Sequence, residues 1–181
     1  MITSETVIIS DVLTHGDAAL PSLTHSRLCE YLSYDPDSGV FTRKLTQRRW
    51  KAGTVIAGRP DGHGYRVIGI DGQSFRAHRL AWFYTTGQWP PNDIDHINGI
   101  RDDNRWCNLR PATRAQNLRN SSAKPNKTGF KGVHKHGHRY RAAIRLNYKH
   151  IRLGSFETPE AAHEAYCRAA IRLHGQFANT G

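Results

Sequence analysis

The alternation of apolar and polar positions divides the chain into short elements punctuated by glycine and proline. Residues 1–24 show no sustained period and read as a poorly ordered or loosely docked arm. Arg27-Leu-Cys-Glu-Tyr-Leu32 reads as a short helix, Asp35-Pro-Asp-Ser-Gly39 as a turn, and Val40-Phe-Thr-Arg43 as a strand. Gln47 to Gly64 is basic and glycine-rich and reads as a loop. Tyr65–Ile70 and Gln73–Ala77 flank Asp71-Gly72, a pair that suits the two positive-φ positions of a type I′ turn, so a hairpin is expected. His78 to Thr85 has helical spacing and stops at Gly87, a natural residue just past a helix end. Trp89-Pro-Pro91 then breaks regular structure and delivers the chain to Asp93.

Ser121 to Thr128 is a polar stretch rich in linker residues. Beyond it, Gly132–His136, Arg139–Leu146 and His150–Phe156 read as three strands, turning at Gly137-His138 and Asn147-Tyr148. Thr158-Pro159 opens a helix, with threonine as N-cap and proline in the first helical position; it runs to about Leu173 and closes at Gly175. Its alanines give it a thin face that can lie close on a sheet. The expected fold class is α+β, organised as an arm (1–24), a first domain (25–120), a linker (121–128) and a second domain (129–181).

Composition narrows the function. An apolar share of 38% and a mean hydropathy of -0.65 allow a modest core. No run approaches the ~18 apolar residues of a membrane span, and the first residues lack the basic and apolar regions of a secretory signal, so a cytoplasmic, non-membrane protein is expected. Cys29, Cys107 and Cys167 are far apart and form no Cys-x-x-Cys pair, which supports neither a disulfide framework nor a cysteine zinc site. A net charge of +11 points to a polyanionic partner, with nucleic acid ahead of a membrane surface. Residues 1–70 carry a net +1 and residues 71–120 a net +2, whereas residues 121–181 carry a net +8. From Ser121 to Phe156 there are nine basic residues and no acidic one.

The chemistry-bearing text is Ile94-Asp-His-Ile-Asn-Gly99, then Asp102-Asp-Asn-Arg-Trp-Cys-Asn108-Leu-Arg110 and Ala115-Gln-Asn117. It reads as a strand ending in Asp-His, a polar loop, a second short strand and a helix carrying Asn117. Hydrolysing a phosphodiester requires a base for the attacking water, neutralisation of phosphate charge and stabilisation of the leaving 3′ oxygen. His96 can take the proton, because imidazole titrates near ~6.5. Asp95 and Asn117 supply oxygen ligands of the kind hard cations prefer. Adjacent residues on a regular strand point to opposite faces, so the strand must end or twist here if both are to serve one phosphate. Asn108 is placed to orient His96 across the loop. Arg114, one helical turn before Asn117, can share its face and steady the phosphate. His78 and Arg79 are further candidates, for phosphate contact or for anchoring the hairpin. Asp102 and Asp103 read rather as residues capping their own backbone.

This stretch resembles the HNH endonucleases of the phage and intron-encoded homing class. The twelve positions from His96 to Asn108 and the nine from Asn108 to Asn117 match that pattern, and the upstream Ala77-His-Arg-Leu-Ala-Trp82 is also family-like. The resemblance spans roughly Tyr34 to Asn120. It implies a ββα-metal fold, His96 as general base, Asp95 and Asn117 holding one divalent metal, and Asn108 supporting the histidine. The cation expected is Mg²⁺, with Mn²⁺ as a substitute and no zinc. The setting implied is the cytoplasm of a bacterium or phage-infected host.

In the second domain, Arg139, Arg141 and Arg145 occupy odd positions of one strand and so share a face. Gly129-Phe-Lys-Gly-Val-His134, Tyr140-Arg-Ala-Ala-Ile-Arg145 and Ile151-Arg-Leu-Gly-Ser-Phe-Glu-Thr-Pro-Glu-Ala-Ala162 resemble the plant ethylene-response-factor DNA-binding domain, over Gly129 to Asn179. That resemblance implies a three-stranded sheet, packed on one helix, that reads the major groove. Its base-reading positions fall here on Lys131, His134, His136, Arg139, Tyr140 and Arg152, which differ from the plant residues, so the groove-binding mode carries over and the plant target does not. The function expected is metal-dependent, sequence-directed cleavage of double-stranded DNA, with nicking and double-strand cutting, and monomer and dimer, all left open. The alternative is a DNA-binding regulator that keeps the HNH fold as a scaffold without catalysis.

Overall fold

Elements here are short because the sequence rarely sustains one period for more than eight residues, and the chain settles into small antiparallel sheets braced by helices. The computed structural model describes residues 23–47, 50–120, 126–147 and 149–181. Most of the expected arm lies outside the described residues, as do the start of the expected linker and Tyr148. Leu23 and Thr24, the last two residues assigned to the arm, are part of the fold: Leu23 is buried and Thr24 caps helix α1 (His25–Tyr31) by accepting from the Arg27 amide.

Strands β1 (Leu32–Asp35), β2 (Val40–Arg43) and β3 (Val55–Ile56) form one sheet. A second is built from β4 (Arg59–Pro60), β5 (Arg66–Ile70) and β6 (Gln73–Arg76). The Asp71-Gly72 hairpin forms as expected, with φ of 48° and 80°. The stretch read as a loop from Gln47 to Gly64 contributes β3 and β4, each two residues long and therefore too short to leave an alternating pattern. Helix α2 (Ala77–Thr86) follows β6 directly and buries Leu80, Ala81 and Phe83. It ends at Gly87 in the left-handed conformation. These elements enclose one core, with Leu28, Leu32, Phe41, Ile70 and Leu80 fully buried.

Strand β7 (Asp93–His96) pairs with β8 (Leu109–Ala112), and helix α3 (Arg114–Asn120) packs back on β7. Further on, β9 (Val133–His136), β10 (Arg139–Leu146) and β11 (Lys149–Phe156) form an antiparallel sheet with β10 in the middle. Helix α4 (Pro159–His174) lies on it, capped by Thr158 and starting at Pro159 as the sequence predicts. Val133, Ala142 and Ile144 on the sheet meet Ala162, Tyr166, Ala169 and Ala170 on the helix, in apolar clusters separate from the first core. The architecture is α+β, with four α-helices among the described residues. No helix among the described residues is long and apolar enough to cross a membrane.

Candidate active site

Buried polar side chains are costly unless something holds them or uses them. Among the described residues six polar side chains belong to buried residues: His78, Asp95, His96, Asn104, Asn108 and Asn120. All six gather around the end of β7. Asp95 and His96 line one cavity of about 290 Å³, with Tyr65, Arg101, Asn117 and Asn120 also on its wall. The strand ends at His96, and that ending lets two adjacent side chains serve the same space.

The loop between β7 and β8 is tied by its own amides. Asn108 Oδ1 accepts from the Asn98 backbone N–H at 3.0 Å and its Nδ2 donates to the Asp103 carbonyl at 2.8 Å. Asn98 Nδ2 donates to Asp103 Oδ2 at 2.7 Å. Arg105 and the amides around Asp103 hold that carboxyl down at about 2. Asn108 therefore fixes the loop, while the side chain facing the His96 ring is Asn104, with Oδ1 3.4 Å from Nε2. Asn104 Nδ2 donates to the Asp102 carbonyl, which directs its oxygen at the ring. An amide oxygen only accepts, so Nε2 carries the proton and Nδ1 is the basic nitrogen.

Asn104 is held in turn by the first sheet. Tyr34 Oη donates to its carbonyl at 2.7 Å, and the Gly39 turn lies against its backbone. A Cβ at Gly39 would meet Arg105 N and Asn104 C at 2.5 Å, and the residue has φ +74°. Gly39→Ala should therefore destabilise the fold by more than about 2 kcal/mol, since left-handed strain alone costs ~1–3 kcal/mol. Urea unfolding followed by circular dichroism would check it.

The Asp95 carboxylate is anchored on two sides. Arg110 Nε and Nη2 both donate to Oδ2, at 2.8 and 2.6 Å. Asn120 Nδ2 lies 3.0 and 3.1 Å from the two carboxylate oxygens and donates to the His96 carbonyl at 2.7 Å. Asn117, three residues earlier, shares its helix face and lies opposite Asp93, with Nδ2 3.4 Å from Asp93 Oδ2. The helix thus matches two asparagines to two aspartates on one face of β7. Arg114 is 80% exposed and pairs with Asp93 at 3.5 Å. Arg79 reaches the carbonyls of Pro90 and Asn92, and so braces the chain entering β7.

His78 packs its ring against His96, at 5.1 Å between centroids, and against Tyr65 at 4.9 Å. Its Nδ1 is buried with no hydrogen-bond partner among the described residues. Burial pushes the His78 imidazole well below its usual value, and the nearby His96 and Arg76 push it further. Burial also lowers His96, against the opposing pull of Asn104 and Asp95. Both rings are thus neutral at pH 7. An unfolded chain would take protons near 6.5 that the folded chain refuses, so the stability from these groups is intact above 6.5. It is lost as pH falls from there toward the folded values. The melting temperature should drop from pH 7.5 to pH 5.5, and less so in His78→Gln; calorimetry at the two pH values would measure the difference.

Residues 75–119 match the family model of the HNH endonucleases. The segment bearing Asp95, His96, Asn108 and Asn117 is similar to that family. An uncharacterized HNH endonuclease, L560, from Acanthamoeba polyphaga mimivirus is 32% identical over 117 residues, which cover 64% of this chain. The match spans 61% of that relative's length. The family match stops at residue 119, one position short of Asn120.

Sequence reasoning missed Arg101, Asn104, Arg110 and Asn120. Arg101 could have been read from its place in the loop beside Asp-His. The other three act through tertiary contacts that spacing does not encode.

A second candidate surface lies on the C-terminal sheet. Ala142 and Ile144 of β10 face the helix, which leaves Arg139, Arg141 and Arg145 on the opposite face. Cross-strand register adds His136 beside Arg139, His134 beside Arg141, Arg152 beside Ala143, and His150 beside Arg145. Arg139 also donates to the Ser155 carbonyl at 3.0 Å. Two of the expected residues lie elsewhere. Tyr140 packs into the apolar cluster beneath the sheet. Lys131 is half-buried before β9, near the Arg119 carbonyl at 3.5 Å, and burial lowers its ammonium.

Proposed function

We propose that the chain is a metal-dependent, sequence-directed DNA endonuclease of the HNH homing type. The observation that carries this reading is the buried, neutral His96 beside Asp95 on the wall of one cavity, inside the segment that matches the HNH endonucleases. Water would attack phosphorus as its proton passes to His96 Nδ1, and the P–O3′ bond would break. Arg101, on the same wall, is placed to hold a phosphate oxygen.

The donor set suits a hard divalent cation. Among the described residues no three His, Cys, Asp or Glu side chains form a metal cluster, and the Asn117 amide on the cavity wall offers an oxygen beside the Asp95 carboxylate. Asp95 Oδ1 accepts only from Asn120 among the described residues, and Asn117 lines the same cavity. Asp95 and Asn117 would hold the cation, with Mg²⁺ the natural occupant of so few oxygen ligands. When bound, the ion supplies charge neutralisation at the phosphate and stabilises the leaving 3′ oxygen.

The chain divides by function into residues 25–120 for cleavage and residues 129–181 for reading DNA, joined by 121–128. Support for the second unit is the three-stranded sheet on one helix with a basic outer face, as expected of an ethylene-response-factor-type domain. Cleaved duplexes should carry 5′-phosphate and 3′-hydroxyl ends that DNA ligase reseals. Ends with a 3′-phosphate would contradict water attack with the 3′ oxygen leaving. One observation favours a second reading, a non-catalytic DNA-binding protein: Arg110 already neutralises Asp95. In that case the chain binds DNA and leaves it intact with every divalent cation tried.

A further inference from the structure

Arg110 is held at three points. Two of its nitrogens take Asp95 Oδ2, and the third, Nη1, donates to the Gln176 carbonyl at 2.5 Å. Its guanidinium carbon lies 3.9 Å over the Phe177 ring. Gln176 and Phe177 belong to the 3-10 turn, Gly175–Phe177, that follows helix α4, and Phe177 is buried. Two residues on, Asn179 Nδ2 donates to the Asn120 carbonyl at 2.7 Å. Both residues that anchor Asp95 are therefore held by the C-terminal tail, Arg110 through its guanidinium and Asn120 through its main-chain carbonyl.

We infer that Gln176–Asn179 is a positioning element for the Asp95 site, which is set for a divalent cation only when the tail is docked on Arg110 and Asn120. The inference rests on the nuclease reading of Asp95. Its physical basis is the shape of the guanidinium, a planar fork that fits both oxygens of a carboxylate at once. Spread over both oxygens, Arg110 would exclude a cation from Asp95. The Gln176 carbonyl holds Nη1, and the Phe177 ring covers the guanidinium face, a favourable placement for a cation. Pinned this way, Arg110 takes Oδ2 alone and leaves Oδ1 with Asn120 as its neighbour. Asn179 does the same service for Asn120 by fixing the end of helix α3.

The test uses the full chain with Phe177→Ala, Phe177→Tyr and Asn179→Ala. Mn²⁺ affinity is measured by the electron paramagnetic resonance of the free ion, alongside kcat and KM for Mg²⁺-dependent nicking and DNA affinity in EDTA. Phe177→Ala should weaken Mn²⁺ binding and lower kcat by about 10- to 100-fold, as loss of a group supporting a metal ligand does. KM and DNA affinity should stay near wild type, and Phe177→Tyr, which keeps the ring, should recover most of the loss. Should Phe177→Ala not fold, Asn179→Ala carries the same expectation in weaker form. Unchanged Mn²⁺ affinity in a folded Phe177→Ala or Asn179→Ala variant overturns the inference, as does a loss confined to DNA affinity. A wild type that neither binds Mn²⁺ nor nicks overturns the nuclease reading itself, and the inference with it.

Discussion

Replacing His96 by alanine should slow DNA cleavage by about 10²- to 10⁴-fold, the range that a positioned general base supplies. Binding of the same duplex should be roughly unchanged, because His96 is buried and the basic residues lie on a different sheet, β9 to β11. The variant also leaves Asn104 Oδ1 without the ring it faces, so a modest loss of stability is expected and must be measured separately. The pH dependence separates a base from a merely structural histidine. Cleavage requires the neutral ring, so the rate should fall as pH drops through the His96 titration, which burial places below 6.5. His96→Ala should lose that acid limb. Single-turnover rates on an end-labelled duplex between pH 5 and 8 would give both results; an acid limb that survives in the variant assigns the titration to another group.

The second large effect concerns the outer face of the C-terminal sheet. Arg139, Arg141 and Arg145 on β10 and Arg152 on β11 lie on one side of the three-stranded sheet, in a stretch from Ser121 to Phe156 with no acidic residue. Replacing all four by alanine removes up to four phosphate or base contacts. The slope of log affinity against log salt should become shallower by about 3 to 4, at ~0.9 for each phosphate contact released. Binding titrations by fluorescence anisotropy from 50 to 200 mM salt, as an order-of-magnitude range over which such contacts matter, would read this directly. The buried face of the sheet is untouched by these changes, so the helix should remain docked and circular dichroism should match wild type. Tyr140→Ala is the informative contrast: Tyr140 packs beneath the sheet, so its loss should lower stability more than it changes the salt slope.

Local chemistry was legible in the sequence wherever one or two residues decide a conformation. Asp71-Gly72 makes its hairpin, Thr158-Pro159 starts its helix, and Gly87 ends one, because each acts on its own backbone. The Asp-His end of β7 was legible for the same reason, since residue type and strand period say what two neighbours can do. Strands of two residues, such as Val55–Ile56 and Arg59–Pro60, leave no period to read. Asparagine at the site was the hardest part. Asn117 and Asn120 are three apart on one helical face, and only the register of α3 against β7 puts Asn120 on Asp95 and Asn117 near Asp93. Likewise, Asn104 rather than Asn108 meets the His96 ring because the Asp35–Gly39 turn presses on that part of the loop. The reach of the chain's last residues back to Arg110 is a contact across 66 positions, for which no local pattern exists.

We propose that Asp95 and His96 form a cation-dependent phosphodiester-cleaving site. Its most direct test is a time course on supercoiled plasmid with Mg²⁺, run side by side for wild type, wild type with EDTA, and His96→Ala at equal concentration. The expected result is conversion to nicked or linear DNA by wild type alone. Equal conversion by wild type and His96→Ala, or conversion that EDTA does not stop, would contradict it.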